Sequence, residues 1–223
     1  TNEPTDIVIS EAGRDVTGNY AITIVPGTLT VTKDTNSIHI TSGGCDLVYN
    51  GKDQSCEEYT VTYGDKTISE CDTCDHNPGE HIFIIPTGDT VTVFNPEKMN
   101  DVDTLPNTFD FVVTNPENYN AIDTTNGILS MNKRHITISV GDSAKVYDGT
   151  PLVNHDYTVG GDSLVAGQDI TSINFPASQT EVGSTTNEPT DIVISEGGKD
   201  VTGNYAITVV PGTLTVVSDT NTI

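Results

Sequence analysis

Basic residues are scarce in this chain, and it has no long apolar run. Its 223 residues include 9 Lys plus Arg against 32 Asp plus Glu, which gives a formal net charge of −23. Such a surface repels nucleic acids and anionic membranes, because both carry charge of the same sign. No run of about 18 apolar residues occurs. We therefore expect no nucleic-acid partner and no membrane insertion within this segment.

Signals of catalysis are also missing. No Gly-x-Ser-x-Gly elbow is present, and no stretch of 12 residues carries a helical apolar stripe. The five histidines stand apart from one another, at His39, His76, His81, His135 and His155. Carboxylate pairs such as Asp101 and Asp103 are expected by chance among 32 acidic residues. We therefore expect that the protein is not an enzyme.

Two further absences concern the origin of the chain. It does not begin with Met, which suggests that it was cut from a longer protein. It has no Asn-x-Ser/Thr acceptor, although Thr and Asn are abundant. An animal protein of this composition would be expected to contain such a site by chance, so its lack favours a bacterial source.

The apolar residues that are present favour strands. They form 34% of the chain, too many for a disordered acidic chain, and they lie in short runs rich in Val, Ile, Tyr and Thr. Ile136, Ile138 and Val140 alternate with polar residues, as in a half-buried strand. A hairpin is predicted from residues 205–209 and 213–216, with its turn at Pro211-Gly212. Residues 96–100 and 163–166 each have the length of a single helical turn.

A long repeat provides the main evidence of organisation. Residues 1–38 recur as residues 186–223, an offset of 185, and only six positions differ. The parent protein is therefore predicted to repeat a 185-residue unit almost unchanged. Since 34 residues bury too little surface to fold alone, residues 1–34 are expected to borrow strands from another chain or from the missing part of their own module.

A weaker repeat divides the unit into two modules. Val48-Tyr49-Asn50-Gly51 resembles Val146-Tyr147-Asp148-Gly149, and Asn118-Tyr119 resembles Asn204-Tyr205. The predicted domains are 1–34, the C-terminal part of a preceding module; 35–133, a β module with a Cys-containing insertion; 134–219, a second β module; and 220–223, the start of the next repeat.

Six or seven short strands in about 90 residues indicate an Ig-like β-sandwich. The alternative is a β-grasp-like module with one short helix. Residues 131–134 join the modules without a Gly/Ser-rich spacer, so we expect the modules to stack end to end as an elongated, stiff rod.

The order of short motifs in the second module resembles a known family. Tyr147-Asp148-Gly149-Thr150-Pro151-Leu152, then Asp200-Val201-Thr202-Gly203-Asn204-Tyr205, then Gly212-Thr213-Leu214-Thr215-Val216 are similar to MBG-type, Ig-like tandem repeats of bacterial cell-surface adhesins. The resemblance covers nearly all of 134–219 and of 1–34, whereas 35–133 matches only at its ends. It implies a surface-anchored, non-catalytic role in which the repeats space a binding tip away from the cell wall.

The four cysteines, Cys45, Cys56, Cys71 and Cys74, predict two disulfides in an extracellular protein. Three pairings exist, and Cys45–Cys56 with Cys71–Cys74 is favoured. A redox pair at Cys71 and Cys74 would require a following helix, which the pattern lacks. Zinc binding with His76 or His81 remains an alternative, although Cys45 and Cys56 stand too far apart for the usual close pair.

Two other site hypotheses concern acidic and basic residues. No cofactor is expected, but calcium is one option, at joints near Asp142, Asp148 and Asp162. An isopeptide crosslink would need a lysine, and Lys199 is replaced by Arg14 in the repeat copy. Candidates for such a bond are therefore Lys52, Lys66, Lys98 and Lys145.

Three functions fit these observations. The first is a structural stalk or spacer of an extracellular bacterial adhesin or fibre, whose partners are the neighbouring repeats. The second is a binding module in which the insertion at 65–103 contacts host glycan, mucin or protein. The third is a filament that assembles by strand exchange between chains. All three place the protein outside the cell, either secreted or attached to the cell wall.

Overall fold

The computed structural model describes residues 1–220 and shows an all-β protein. Strands take up 47% of the chain and helix 4%, so the predicted all-β class is confirmed. Among the described residues the only helical elements are three 3₁₀ turns, Thr17–Asn19, Pro116–Asn118 and Thr202–Asn204. Residues 96–100 and 163–166 are irregular, because one isolated turn gains too few hydrogen bonds to hold.

The first 34 residues contain little regular structure. β1 (Ser10–Glu11) and β2 (Arg14–Asp15) form a small antiparallel hairpin, and Asn2 bridges Gly27. The residues beyond this hairpin lie largely exposed. Residues 221–223, most of the predicted start of the next repeat at 220–223, lie outside the described residues.

Residues 35–133 contain ten strands. They are β3 (Ile38–Ser42), β4 (Cys45–Val48), β5 (Tyr59–Tyr63), β6 (Lys66–Ile68), β7 (His81–Ile84), β8 (Thr90–Phe94), β9 (Thr104–Pro106), β10 (Asp110–Val113), β11 (Ile122–Thr125) and β12 (Ile128–Asn132).

Residues 134–219 contain nine strands. They are β13 (Arg134–Val140), β14 (Ser143–Val146), β15 (Tyr157–Gly161), β16 (Gln168–Asn174), β17 (Gly183–Asn187), β18 (Thr190–Glu196), β19 (Lys199–Asp200), β20 (Tyr205–Val210) and β21 (Gly212–Val217).

The same order of strand pairing occurs in both segments. β3 lies between parallel β11 and antiparallel β5, and β13 lies between parallel β20 and antiparallel β15. β12 lies between parallel β4 and antiparallel β9, and β21 lies between parallel β14 and antiparallel β17. The antiparallel pairs β8–β10 and β16–β18 also correspond. We call residues 35–133 module one and residues 134–219 module two, because the two share this topology.

Two features distinguish the modules from each other and from the expected sandwich. β6 and β7 have no counterpart in module two, so they belong to the insertion. Each module also pairs its first strand in parallel with its next-to-last strand, and its second strand in parallel with its last, whereas an immunoglobulin sandwich consists of two antiparallel sheets. The Ig-like arrangement therefore stays a prediction, and these parallel pairs are the feature that departs from it.

The predicted hairpin at Pro211-Gly212 is wrong. β20 and β21 belong to different sheets and do not pair with each other. Instead, β20 pairs in parallel with β13, and β21 pairs in parallel with β14. The β13–β20 ladder alone has six residue pairs. Pro211 has no N–H to donate to a ladder, so it marks the point where the chain passes from one sheet to the other.

A close crossing of two chains fixes this bend in both modules. A Cβ on Gly212 would lie 2.4 Å from the Gly141 carbonyl oxygen, and one on Gly127 would lie 2.3 Å from that of Gly43. Only glycine allows the backbones to approach so closely. The sequence has Gly-x-Leu at both positions, as Gly127-Ile128-Leu129 and Gly212-Thr213-Leu214, so this repeated motif marks the crossing.

Most buried apolar residues of the described chain belong to two clusters. One lies entirely within module one and contains Ile38, Ile40, Val61, Tyr63, Phe83, Ile85, Val91, Val93, Val113 and Tyr119. The other contains residues of both modules, Tyr49, Cys56, Met99, Leu129 and Met131 with Ile136, Ile194, Val201 and Tyr205. The second cluster places buried apolar surface at the border between the modules.

Candidate functional site

The border between the modules, which we call the joint, is formed by side chains of both modules. Lys133 alone separates β12 from β13, so the linker is a single residue. Side chains from both sides of that linker pack into one buried cluster. A short linker over a shared core restricts rotation of one module against the other, because any rotation would expose apolar surface.

Two tyrosines and a glutamine form the centre of the joint. Tyr49 of module one meets Tyr205 of module two edge to face, with ring centroids 5.6 Å apart. The buried Gln168 side chain donates from Nε2 to the Tyr49 hydroxyl at 2.8 Å and accepts from the Tyr205 hydroxyl at Oε1. The Tyr205 hydroxyl also accepts from the backbone N–H of Val165. Each buried polar group here has a partner, which ties the two modules together in one geometry.

A second set of polar contacts lies at the edge of the joint. Asn204 accepts from the backbone N–H of Val102 and donates to Asp101, each at 2.8 Å, and Lys199 donates to the other Asp101 oxygen at 3.2 Å. These hydrogen bonds, that from Asn204 first and that from Lys199 second, hold the pKa of Asp101 below its ordinary value. The carboxylate is therefore stabilised in its charged form at neutral pH.

The repeated turn at Tyr49-Asn50-Gly51 also forms part of the joint. Gly51 has φ of 74°, and a Cβ there would lie 2.7 Å from Cγ1 of Val165 in module two. The same turn in module two, Tyr147-Asp148-Gly149, lies at the opposite end of that module. Tyr147 is 39% exposed there, whereas Tyr49 is 2% exposed. The turn that is buried in the joint in module one is thus exposed in module two, at the end away from the joint.

No family model, curated protein or solved structure matches this chain.

No helix among the described residues is long and apolar enough to span a membrane.

All four predicted cysteines are disulfide-bonded. Cys45 pairs with Cys56 and Cys71 with Cys74, with Cα–Cα distances of 5.9 and 5.5 Å. These are the two pairings favoured above. The first bond joins β4 to the buried Cys56 in the cluster of the joint, and the second closes a turn in the insertion. The two disulfides indicate a non-reducing and extracellular environment.

The zinc and redox interpretations find no support in this geometry. Cys45 and Cys56 lie close to Glu58, but their sulfur atoms are bonded to each other and are not available as thiolates. His76 contacts Asn77, and His81 lies between Glu57 at 3.6 Å and Glu70 at 2.8 Å. No helix follows the second cysteine pair within the described insertion.

The calcium candidates are not brought together in the structure. Asp142 accepts from the N–H of Thr213, Asp162 accepts from the N–H of His135, and Asp148 accepts from Lys145. Lys145 and Thr150 lower the pKa of Asp148 below its ordinary value, with Lys145 as the larger cause. Lys145 Nζ makes a surface ion pair with Asp148 at 2.7 Å and also donates to Thr150, and none of its described partners is an asparagine.

Sequence reasoning missed the residues of the joint. In the sequence Tyr49, Asn204 and Tyr205 stand out as repeat landmarks without an assigned role, and Asp101 is one of a carboxylate pair expected by chance. The signal that points to the three landmarks is their recurrence, because positions that contact a neighbouring repeat recur with the repeat.

Proposed function

We propose that this chain is a stalk segment of an extracellular bacterial surface protein, in which stacked β modules hold a distant part of the protein away from the cell. The observation that carries the proposal is the joint, with its one-residue linker and its shared buried cluster. A spacer must resist bending, and a joint with a buried core resists it better than a flexible linker would.

The free end of module two supports the addition of further modules. Tyr147, Val146 and Val217 are substantially exposed there, and Tyr147 matches Tyr49 in the repeat. The near-identical copies in 1–38 and 186–223 supply the sequence side of the argument. A stalk lengthens by adding such units, each of which covers the exposed end of the one before it.

A test of this function is the growth of length with repeat number. We would extend the chain by one more 185-residue unit, joined at the natural register of the repeat, and record small-angle X-ray scattering of both proteins. A stalk requires the maximum dimension to increase by the length of one whole unit. Growth of only a few ångströms, with a compact scattering profile, would contradict the proposal.

The insertion of module one supports a second candidate, the binding of host glycan or protein. Glu57, Pro78, Phe94 and Lys98 line a surface pocket of about 530 Å³, and β6 and β7 have no counterpart in module two. A glycan array and a mucin pull-down would test it. The candidate requires Phe94→Ala to reduce any binding found, with the exposed Val182→Ala as control, and silence across the array would remove it.

A further inference from the structure

Residues 1–34 have the local structure of the second half of module two. The β1–β2 hairpin pairs Ser10 with Asp15, as β18–β19 pairs Ser195 with Asp200. The Ile9 N–H donates to the Thr17 hydroxyl at 2.8 Å, and the corresponding Ile194–Thr202 bond has the same length. Short-range contacts are therefore made in both copies.

Long-range burial distinguishes the two copies. Leu29 and Val31 are 72% and 97% exposed, whereas the equivalent Leu214 and Val216 are 0% and 1% exposed. Tyr20 is 58% exposed, and its equivalent Tyr205 is 3% exposed. The side chains of residues 20–31 therefore lack the neighbours that cover the equivalent side chains in module two.

The missing neighbours can be identified from module two. Leu214 lies between Ser143 of β14 and Thr185 of β17, and Tyr205 pairs with Arg134 of β13. β13 to β16 and the first residues of β17 all lie within residues 134–185. That segment is therefore the part of a module that 1–31 lacks.

The surroundings of Gly27 also indicate that a segment equivalent to residues 134–185 is the missing neighbour. Gly27 corresponds to Gly212, where a Cβ would lie 2.4 Å from the carbonyl oxygen of Gly141. At Gly27 the nearest atom to such a Cβ is 3.8 Å away. Gly27 therefore has room for a Cβ, at a position where module two needs glycine because another segment crosses there.

The chain's own residues 134–185 cannot cover residues 1–31 with a net gain in buried surface. They already cover residues 186–217, so exchange between two copies would free one half-module for each one that it fills. A stable occupant must be an additional segment of this sequence.

We propose that residues 1–31 form an acceptor surface for a segment with the sequence of residues 134–185, supplied by another repeat, and that the two close into a complete module. β14 of the incoming segment pairs in parallel beside residues 29–31, as it does beside residues 214–216 in module two, and its glycine bend crosses Gly27. Tyr20, Leu29 and Val31 then become buried, as Tyr205, Leu214 and Val216 are in module two. This acceptor role goes beyond the stalk, and it can fail without affecting the joint between modules one and two.

The test adds a synthetic peptide of residues 134–185 to the full 223-residue chain and follows amide hydrogen exchange. We expect one peptide to bind per chain, and the amides of Leu29 and Val31 to become as protected as those of Leu214 and Val216. Leu29→Asp/Val31→Asp should weaken binding by at least about a hundredfold, since both side chains lose their buried sites. Ile84→Asp/Val112→Asp adds the same charge on exposed strands of module one, and it should leave binding unchanged.

Absence of new protection at residues 20–31 would overturn the proposal. So would protection that persists in Leu29→Asp/Val31→Asp, or displacement of the chain's own β13 from module two as the sole effect. A chain with residues 134–185 placed before Thr1 keeps the test decisive if the free peptide aggregates. In that longer chain Leu29 should exchange as slowly as Leu214, and rapid exchange would contradict the inference.

Discussion

Gly212 and Gly27 occupy the same place in the repeat, but only Gly212 lies against a crossing chain. Gly212→Ala should destabilise module two by about 2 kcal/mol or more, because its Cβ would overlap backbone that cannot move freely. Gly27→Ala is the matched control and should change stability by less than about 0.5 kcal/mol in this 223-residue chain. Urea unfolding of both variants provides the measurement, and equal effects would contradict the crossing geometry.

Tyr59 is a half-buried phenol whose hydroxyl has no hydrogen-bond partner. Burial, followed by the charge of Glu57, raises the pKa of Tyr59 to about 12. The folded state therefore favours the neutral phenol. Its contribution to stability is fully present below pH about 10, and it is lost as pH rises from about 10 to about 12.

Tyr59→Phe should remove this part of the alkaline loss, because phenylalanine cannot ionise. Stability at neutral pH should be unchanged or slightly higher, since a buried hydroxyl without a partner is removed. Thermal unfolding between pH 8 and 11.5 would measure both effects. Tyr20→Phe, at an exposed site, serves as control, and an alkaline loss in Tyr59→Phe equal to that of the unaltered chain would contradict the assignment.

The role of an individual residue could be predicted from the sequence where the chemistry of its side chain alone identifies its partner. Cysteines in a predicted extracellular protein pair with one another, and the short separations favoured the bonds now observed. Asp101 could not be selected in this way. Its carboxylate is distinguished from 31 other acids only by Asn204 and Lys199, which lie about a hundred residues away in sequence.

Strands were predicted better than their pairing. The alternation of Ile136, Ile138 and Val140 identified β13. The hairpin at Pro211 failed because a Pro-Gly step signals a change of direction without specifying the partner strand. That partner, β14, precedes β21 by about seventy residues, and no local pattern reports such a parallel contact.

The contact between Asp101 and Asn204 should contribute measurable coupling between the modules. A double-mutant cycle of Asp101→Ala and Asn204→Ala is expected to give about 1 kcal/mol of coupling, because each residue satisfies the other across the joint. A cycle with the exposed Asp123→Ala in place of Asp101→Ala should give none.

This coupling should also depend on pH in a definite direction. The pKa of Asp101 is lowered in the folded state, so its contribution is present above the ordinary carboxyl pKa. It is lost as pH falls through the lowered value. Coupling that is absent at neutral pH, or that grows on acidification, would contradict the assigned hydrogen bonds.

The two disulfides should differ in importance. Cys45–Cys56 spans 11 residues and includes a buried member of the joint cluster, whereas Cys71–Cys74 spans only 3. Cys45→Ala/Cys56→Ala should cost about 2–3 kcal/mol, and Cys71→Ala/Cys74→Ala less than about 1 kcal/mol, because a longer closed loop restrains the unfolded chain more. Thermal unfolding of the two double variants compares them directly, and the reverse order would contradict this view.

At the scale of the molecule, the recurring landmarks predict two modules of one fold. The strand pairings of residues 35–133 and 134–219 follow the same order. The joint could not be predicted in detail. The lack of a flexible spacer indicates that the two modules lie close together, but it does not indicate which of their side chains are in contact. The exposed state of residues 20–31 reflects the absence of the long-range contacts that bury the equivalent residues in module two.

The central claim is that modules one and two behave as one stiff unit. Spin labels at Asp65→Cys and Val182→Cys, both at exposed positions, would report the distance between the outer parts of the two modules by pulsed electron paramagnetic resonance. We expect a single narrow distance distribution that broadens when Asp101→Ala and Asn204→Ala are combined. A broad distribution in the otherwise unaltered chain, as a flexible linker would produce, would contradict the account.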